Sequence, residues 1–199
     1  MKTSSKILKT GSTDFPRGEE KKMRRIPGFL FFFPLLLLLC GFFWDKPTWE
    51  AINQGIAHNY PTVRHIDTDT VRNDLEQGKK MVLIDVRKKE EYDVSHLPSS
   101  VNIIHAKDIA LPKDTPLIVY CSVGVRSAKF AKQLGNIGYT NVFNLRGSIF
   151  EWANKGYSVM SKKTKVKSVH PFNRKWGTLL KKELHSYKPA RIEGQPLQK

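Results

Sequence analysis

Residues Pro116–Ser127 read PLIVYCSVGVRS. The first six form a short, continuous apolar run with no polar alternation. That is how a strand buried on both faces of a parallel sheet reads. Cys121 closes the run. Gly124 then allows a tight turn. From Ser127 to Ile137, the residues Phe130, Ala131, Leu134 and Ile137 fall on one helical face, with Gly138 where a helix ends. Strand, turn and helix in that order form one arm of a parallel crossover unit.

The same alternation extends to both sides. Upstream, Arg64–Ile66 is a short strand, and Asp67 or Thr68 caps a helix running to Gln77 before Gly78. Met81–Val86 (MVLIDV) reads as a second buried strand, Lys88–Val94 as a short helix, and Val101–Ile103 as a further apolar segment. Downstream, Val142–Leu145 is a strand and Ser148–Asn154 a short helix. The expected fold class is α/β, a doubly wound parallel sheet with helices on both faces. The expected domain limits are residues 63–160, after a linker over 45–62 that contains Pro47, Gly55 and Pro61.

In such sheets, sites form beyond the carboxyl ends of the strands. Cys121 stands there, ahead of a helix start whose unpaired N–H groups and dipole favour negative charge. Arg126 adds a full positive charge. All of these favour the thiolate, which is the nucleophilic form. They also favour an anionic substrate. The plain alternative is an inert core cysteine. A second is a phosphatase cradle, but cysteine-dependent phosphatases place one residue more between Cys and Arg than the four here, Ser122 to Val125. A smaller ring of N–H groups suits a sulfur atom better than a tetrahedral phosphate.

Three ordered motifs carry a resemblance. Leu83-Ile-Asp-Val-Arg87, Glu91-Tyr92, His96-Leu97-Pro98 and Asn102-Ile103 form the first. Cys121-Ser-Val-Gly-Val-Arg-Ser127 is the second, and Asn144-Leu-Arg-Gly147 with Trp152 and Gly156 the third. Together they resemble the rhodanese family over about residues 63–160. The resemblance implies transfer of sulfane sulfur through a persulfide on Cys121 to cyanide or a thiol. It implies that Ser122, Val123, Gly124, Val125, Arg126 and Ser127 bind the substrate, their backbone N–H groups facing the sulfur and Arg126 holding an anionic donor. Asp85 and Arg87 match positions that support the loop by ion pairing, and His96 matches a turn organiser. Ser95, Ser99 and Ser148 stand where the family usually has glycine, and Ser100 where it has alanine. The alternative within the resemblance is a module that binds a persulfidated or anionic partner with little turnover.

The chain has 199 residues and a formal net charge of +16. Residues 1–25 carry +5, residues 26–160 only +2, and residues 161–199 carry +9. The domain is therefore near neutral between basic ends, so no nucleic-acid partner is expected of it. Two cysteines, Cys40 and Cys121, exclude a disulfide framework, and the scattered histidines show no metal-ligand spacing. No metal or cofactor is expected.

Residues 26–44, IPGFLFFFPLLLLLCGFFW, are uncharged. As a helix they would reach roughly 28 Å, close to the hydrocarbon thickness of a bilayer. With the basic run Lys21, Lys22, Arg24 and Arg25 before it and no small-x-small cleavage site after it, this stretch reads as an uncleaved transmembrane anchor. The positive-inside bias places the N-terminus in the cytoplasm and the domain on the far side of the membrane. Secretion after cleavage is the alternative. In the basic tail, residues 161–199, Phe172, Trp176, Leu179, Leu180, Leu184 and Tyr187 recur at helical spacing. They predict an amphipathic helix that lies on a membrane surface or packs on the domain.

Overall fold

The computed structural model describes residues 46–189. The expected membrane span at 26–44, the basic segment 1–25 and residues 190–199 lie outside them. Among the described residues no helix is long and apolar enough to cross a membrane.

Five parallel strands form the sheet: β1 (Arg64–Ile66), β2 (Val82–Asp85), β3 (Val101–Asn102), β4 (Leu117–Tyr120) and β5 (Val142–Leu145). Their order is β1-β5-β4-β2-β3. The apolar run that reads as a buried strand is the central strand β4, paired with β2 and β5. Its four residues are all buried, and successive side chains enter opposite cores, as the two-residue strand period requires. Leu117 and Val119 point to the layer containing Cys121, Phe130 and Leu134. Ile118 and Tyr120 point to the layer containing Leu83, Leu145 and Phe150.

The helices cover both faces. Helix α4 (Val125–Asn136) lies over the first layer, burying Phe130, Ala131 and Leu134. It begins two residues before the expected Ser127, which shortens the turn after Cys121. Helices α2 (Thr68–Glu76) and α5 (Ser148–Asn154) bury Val71, Ile149, Phe150 and Trp152 in the other layer. Helix α3 (Lys89–Val94) joins β2 to the turn before β3.

Two segments depart from the expected organisation. The expected linker over 45–62 contains helix α1 (Trp49–Asn59), capped by Thr48, whose Oγ1 accepts the Ala51 N–H at 3.1 Å. Ile52 and Ile56, one helical turn apart, are buried in the second layer. Gly55 sits inside this helix with open space beside it, so its presence marks no break.

The basic tail is the second departure. Its described residues form no long amphipathic helix. The hairpin β6 (Val159–Ser161) with β7 (Thr164–Val166) crosses the expected boundary at 160, and a bridge joins Met160 to His96. Beyond it, residues 167–187 form a strap with only a four-residue helix, α6 (Arg174–Gly177), and a 3-10 turn at Lys182–Leu184. Phe172, with a positive φ of 64°, stands outside any helix, α6 ends at Gly177, and Lys181 is non-helical with ψ at 131°, so the helical spacing is not realised. The strap closes on itself: the Val169 N–H donates to the Leu184 carbonyl at 2.6 Å and the Ser186 N–H to the Val169 carbonyl at 3.1 Å. Val169 and Leu180 are buried, with Trp176, Leu179 and Leu184 packed around them. Trp176, Leu179, Leu180 and Leu184 of the stripe therefore pack on the domain, while Phe172 and Tyr187 stay exposed.

If the strap belongs to the core, truncating its buried anchor is expensive. Leu180→Ala is expected to cost about 2–5 kcal/mol, read as a lowered urea midpoint with an unchanged slope. A midpoint equal to wild type would show the strap to be peripheral.

Candidate active site

The C-terminal ends of β4 and β5 bring the loop and its supports together. Cys121 is 1% exposed. Its own N–H donates to Ser148 Oγ at 3.2 Å, and Ser148 Oγ donates to the Leu145 carbonyl at 3.0 Å. The first N–H groups of α5 reach across: Ile149 donates to the Cys121 carbonyl at 3.2 Å and Phe150 to the Ser122 carbonyl at 3.1 Å. A helix N-terminus thus absorbs the loop's carbonyls. Asn144 adds a third tie, its Nδ2 donating to the Gly124 carbonyl at 3.1 Å.

With those carbonyls held, donors turn to the sulfur. The Gly124 N–H donates to Cys121 Sγ at 3.2 Å, and the Ser127 hydroxyl lies 3.6 Å from it. Gly124 holds a φ of +106°, a conformation open mainly to glycine, and Ile56 of α1 backs it. Burial pushes the Cys121 thiol up. The Arg126 charge, the Ser127 hydroxyl and N–H, and the Gly124 N–H outweigh it and hold the thiol below its ordinary range.

Arg126 sits in the first turn of α4, where a cation opposes the helix dipole. Glu91 compensates. Its two oxygens accept from the two terminal nitrogens of Arg126, each at 2.8 Å, and Arg126 also donates to Ser122 Oγ at 3.0 Å. Glu91 is 3% exposed. Burial raises its carboxyl, but the Arg126 guanidinium more than reverses that and holds it below the usual range. The Phe172 ring lies 4.7 Å from the guanidinium carbon.

The other expected residues are placed as follows. Val123 is buried in the second layer, so only its backbone is available to a substrate, while Val125 is partly exposed. Asp85 and Arg87 hydrogen-bond each other, and their side chains make no hydrogen bond to residues 122–127. Arg87 donates to both Asp85 oxygens and to the Ser95 carbonyl, and both side chains are fully buried. This pair clamps the end of β2 to the turn after α3. His96 stacks on Tyr92 with ring centroids 4.0 Å apart and exchanges backbone hydrogen bonds with Met160. It organises a turn and lies outside the sulfur's contacts.

The rhodanese-like domain family matches residues 67–155. A thiosulfate:glutathione sulfurtransferase of Saccharomyces cerevisiae is 31% identical over 93 residues, covering 38% of this chain and 67% of the yeast protein. The chain belongs to the rhodanese-like family. A sulfurtransferase of Allochromatium vinosum is 29% identical over 103 residues, half of this rhodanese-like chain and 96% of that protein. An adenylyltransferase and sulfurtransferase of Ogataea parapolymorpha is 37% identical over 78 residues, but the match spans only 20% of its length. A thiosulfate sulfurtransferase structure from Pseudomonas aeruginosa superposes with a TM-score of 0.50 at 21% identity, over 58% of this chain and 23% of that one, a likeness of fold.

Four residues of this rhodanese-like site had no assigned role in the sequence: Glu91, Asn144, Ser148 and Phe172. Glu91 stands three residues into the helix after Arg87, and only the need to offset a buried-edge cation points to it. Ser148 stands where a glycine is usual and keeps a φ of 49°, while its hydroxyl takes the Cys121 N–H.

Two expectations follow. Removing Asp85 leaves Arg87 buried and unpaired. Asp85→Ala should cost about 3–5 kcal/mol, and Asp85→Ala with Arg87→Met should recover part of it; equal urea midpoints for the single and double variants would contradict the clamp. The second concerns pH. Cys121 alkylation should reach half its maximal rate below the ordinary thiol value of about 8.5. Arg126→Met removes the cation and should move that midpoint up; Glu91→Gln frees the cation and should move it down. One shared midpoint for all three proteins would dismiss the electrostatic account.

Proposed function

We propose that this chain is a sulfurtransferase that carries sulfane sulfur on Cys121. The observation that supports it best is a buried sulfur supplied with two donors and a neighbouring guanidinium in place of water. Such a site stabilises charge on sulfur in both the thiolate and the persulfide. With thiosulfate as donor, the Cys121 thiolate attacks the outer sulfur. The new S–S bond forms at Cys121, the old one breaks, and sulfite leaves with the electron pair. An acceptor thiolate then attacks the outer sulfur of the persulfide, departs as a persulfide itself, and returns Cys121 to the thiolate. Cys121 is the only cysteine among the described residues, which supports an acceptor from outside the domain. The yeast relative's name pairs thiosulfate with glutathione, which supports a small thiol in that role.

We further propose that residues 26–44 anchor the protein in a membrane with the N-terminus cytoplasmic and the domain on the other side. The uncharged stretch and the basic run ahead of it support this. Protection of Cys121's domain from protease added to right-side-out cells would contradict that orientation.

The catalytic reading is tested by intact mass. Treatment with thiosulfate should add one sulfur to the wild-type chain and none to Cys121→Ser, whose turnover should fall to background with the fold intact. Turnover retained in Cys121→Ser would rule the mechanism out. Tight complex formation without sulfur uptake would indicate a binding module instead.

A further inference from the structure

The strap that follows the family match reaches the active-site loop. Phe172 places its ring 4.7 Å from the Arg126 guanidinium carbon. Its backbone is held in an unusual state, with φ at 64°. A non-glycine residue in that region is strained, and such strain persists only where the surroundings impose it. The surroundings here are specific. The Phe172 N–H donates to His170 Nδ1 at 3.0 Å, and the next N–H, of Asn173, donates to the Pro171 carbonyl at 2.8 Å. Asn173 then caps α6 by accepting the Trp176 N–H at 3.0 Å. His170 in turn meets the Tyr187 ring edge-on at 5.1 Å. Yet Phe172, so positioned, stays 38% exposed. Core burial therefore does not explain it; a position over the site's cation does.

The charge balance points the same way. Both terminal nitrogens of Arg126 are engaged by Glu91. The Cys121 thiolate, Glu91 and Arg126 together leave one net negative charge. A donor recognised by charge alone, such as the thiosulfate dianion, finds the cation already paired and meets that excess. A monoanionic donor with an organic group loses less to repulsion and gains the exposed ring.

We propose that Phe172 is a specificity-determining residue that favours sulfane-sulfur donors bearing an organic group, of the thiosulfonate class, over inorganic thiosulfate. The proposal rests on the sulfurtransferase reading above. In the step concerned, the Cys121 thiolate attacks the terminal sulfur of the R–SO2–S anion. A bond forms from Cys121 to that sulfur as its bond to the sulfonyl sulfur breaks, and the sulfinate leaves with the electron pair. No proton, oxidant or reductant is needed.

The test is single-turnover sulfur uptake by the full chain in detergent, read by intact mass, with benzenethiosulfonate and thiosulfate as the two probes. In Phe172→Ala, the ratio of the benzenethiosulfonate to the thiosulfate rate constant should fall about tenfold, the scale of one lost aromatic contact. Phe172→Tyr keeps the ring and should hold the wild-type ratio, whereas Phe172→Leu keeps bulk alone and should lose it. A merely structural role would lower both rates together, so an unchanged ratio in Phe172→Ala and Phe172→Leu overturns the proposal. Failure of the underlying reading looks different: the wild-type chain would take sulfur from neither probe.

Discussion

A thiolate excluded from water must find its hydrogen bonds in the protein, and the carboxyl end of this sheet is arranged around that demand. Burial alone would leave Cys121 protonated. What reverses it is a small set of donors held in place by other groups. The loop can direct the Gly124 N–H and the Ser127 hydroxyl toward sulfur because its carbonyls point elsewhere. They are taken up by the start of α5 and by the Asn144 amide. Were those carbonyls free, they would compete for space around the sulfur and add negative charge where it is least wanted.

The cation of the site follows the same logic. Arg126 occupies a helix start that disfavours it, and Glu91 makes the position tolerable. The pair gains orientation at the expense of field: the guanidinium is fixed at the loop's edge, but its charge is largely balanced. Recognition of a donor then depends on shape and apolar contact as well as on charge, and it is the strap, from outside the family match, that adds such a surface.

Local pattern made the sheet readable. The run PLIVYC could hardly be anything but a central strand, and Met81–Val86 and Val142–Leu145 followed from the same rule. Cys121, Gly124 and Arg126 were readable as a site because they are adjacent in sequence. Glu91, Asn144 and Ser148 come from three other elements, and nothing local to them signals the loop. The two ends of the domain were harder for a different reason. Gly55 and Pro47 suggested a linker although Ile52 and Ile56 already had the spacing of a buried helix face. In the strap, helical spacing was present, but α6 stops at Gly177 and Lys181 is extended, so Leu179, Leu180 and Leu184 reached the core without a continuous helix. Spacing reports which residues are buried more reliably than it reports the backbone that buries them.

The second core layer also sets an order of events during synthesis. Its cover comes from α1 at one end of the domain and from Val169, Leu180 and Leu184 at the other. The five strands have all left the ribosome well before those last residues. Until they emerge, Tyr120, Phe150 and Trp152 face a layer with part of its cover missing, and the nascent domain exposes apolar surface to its surroundings. A strap that brings an aromatic ring to the active site is thus also the piece that brings this exposure to an end.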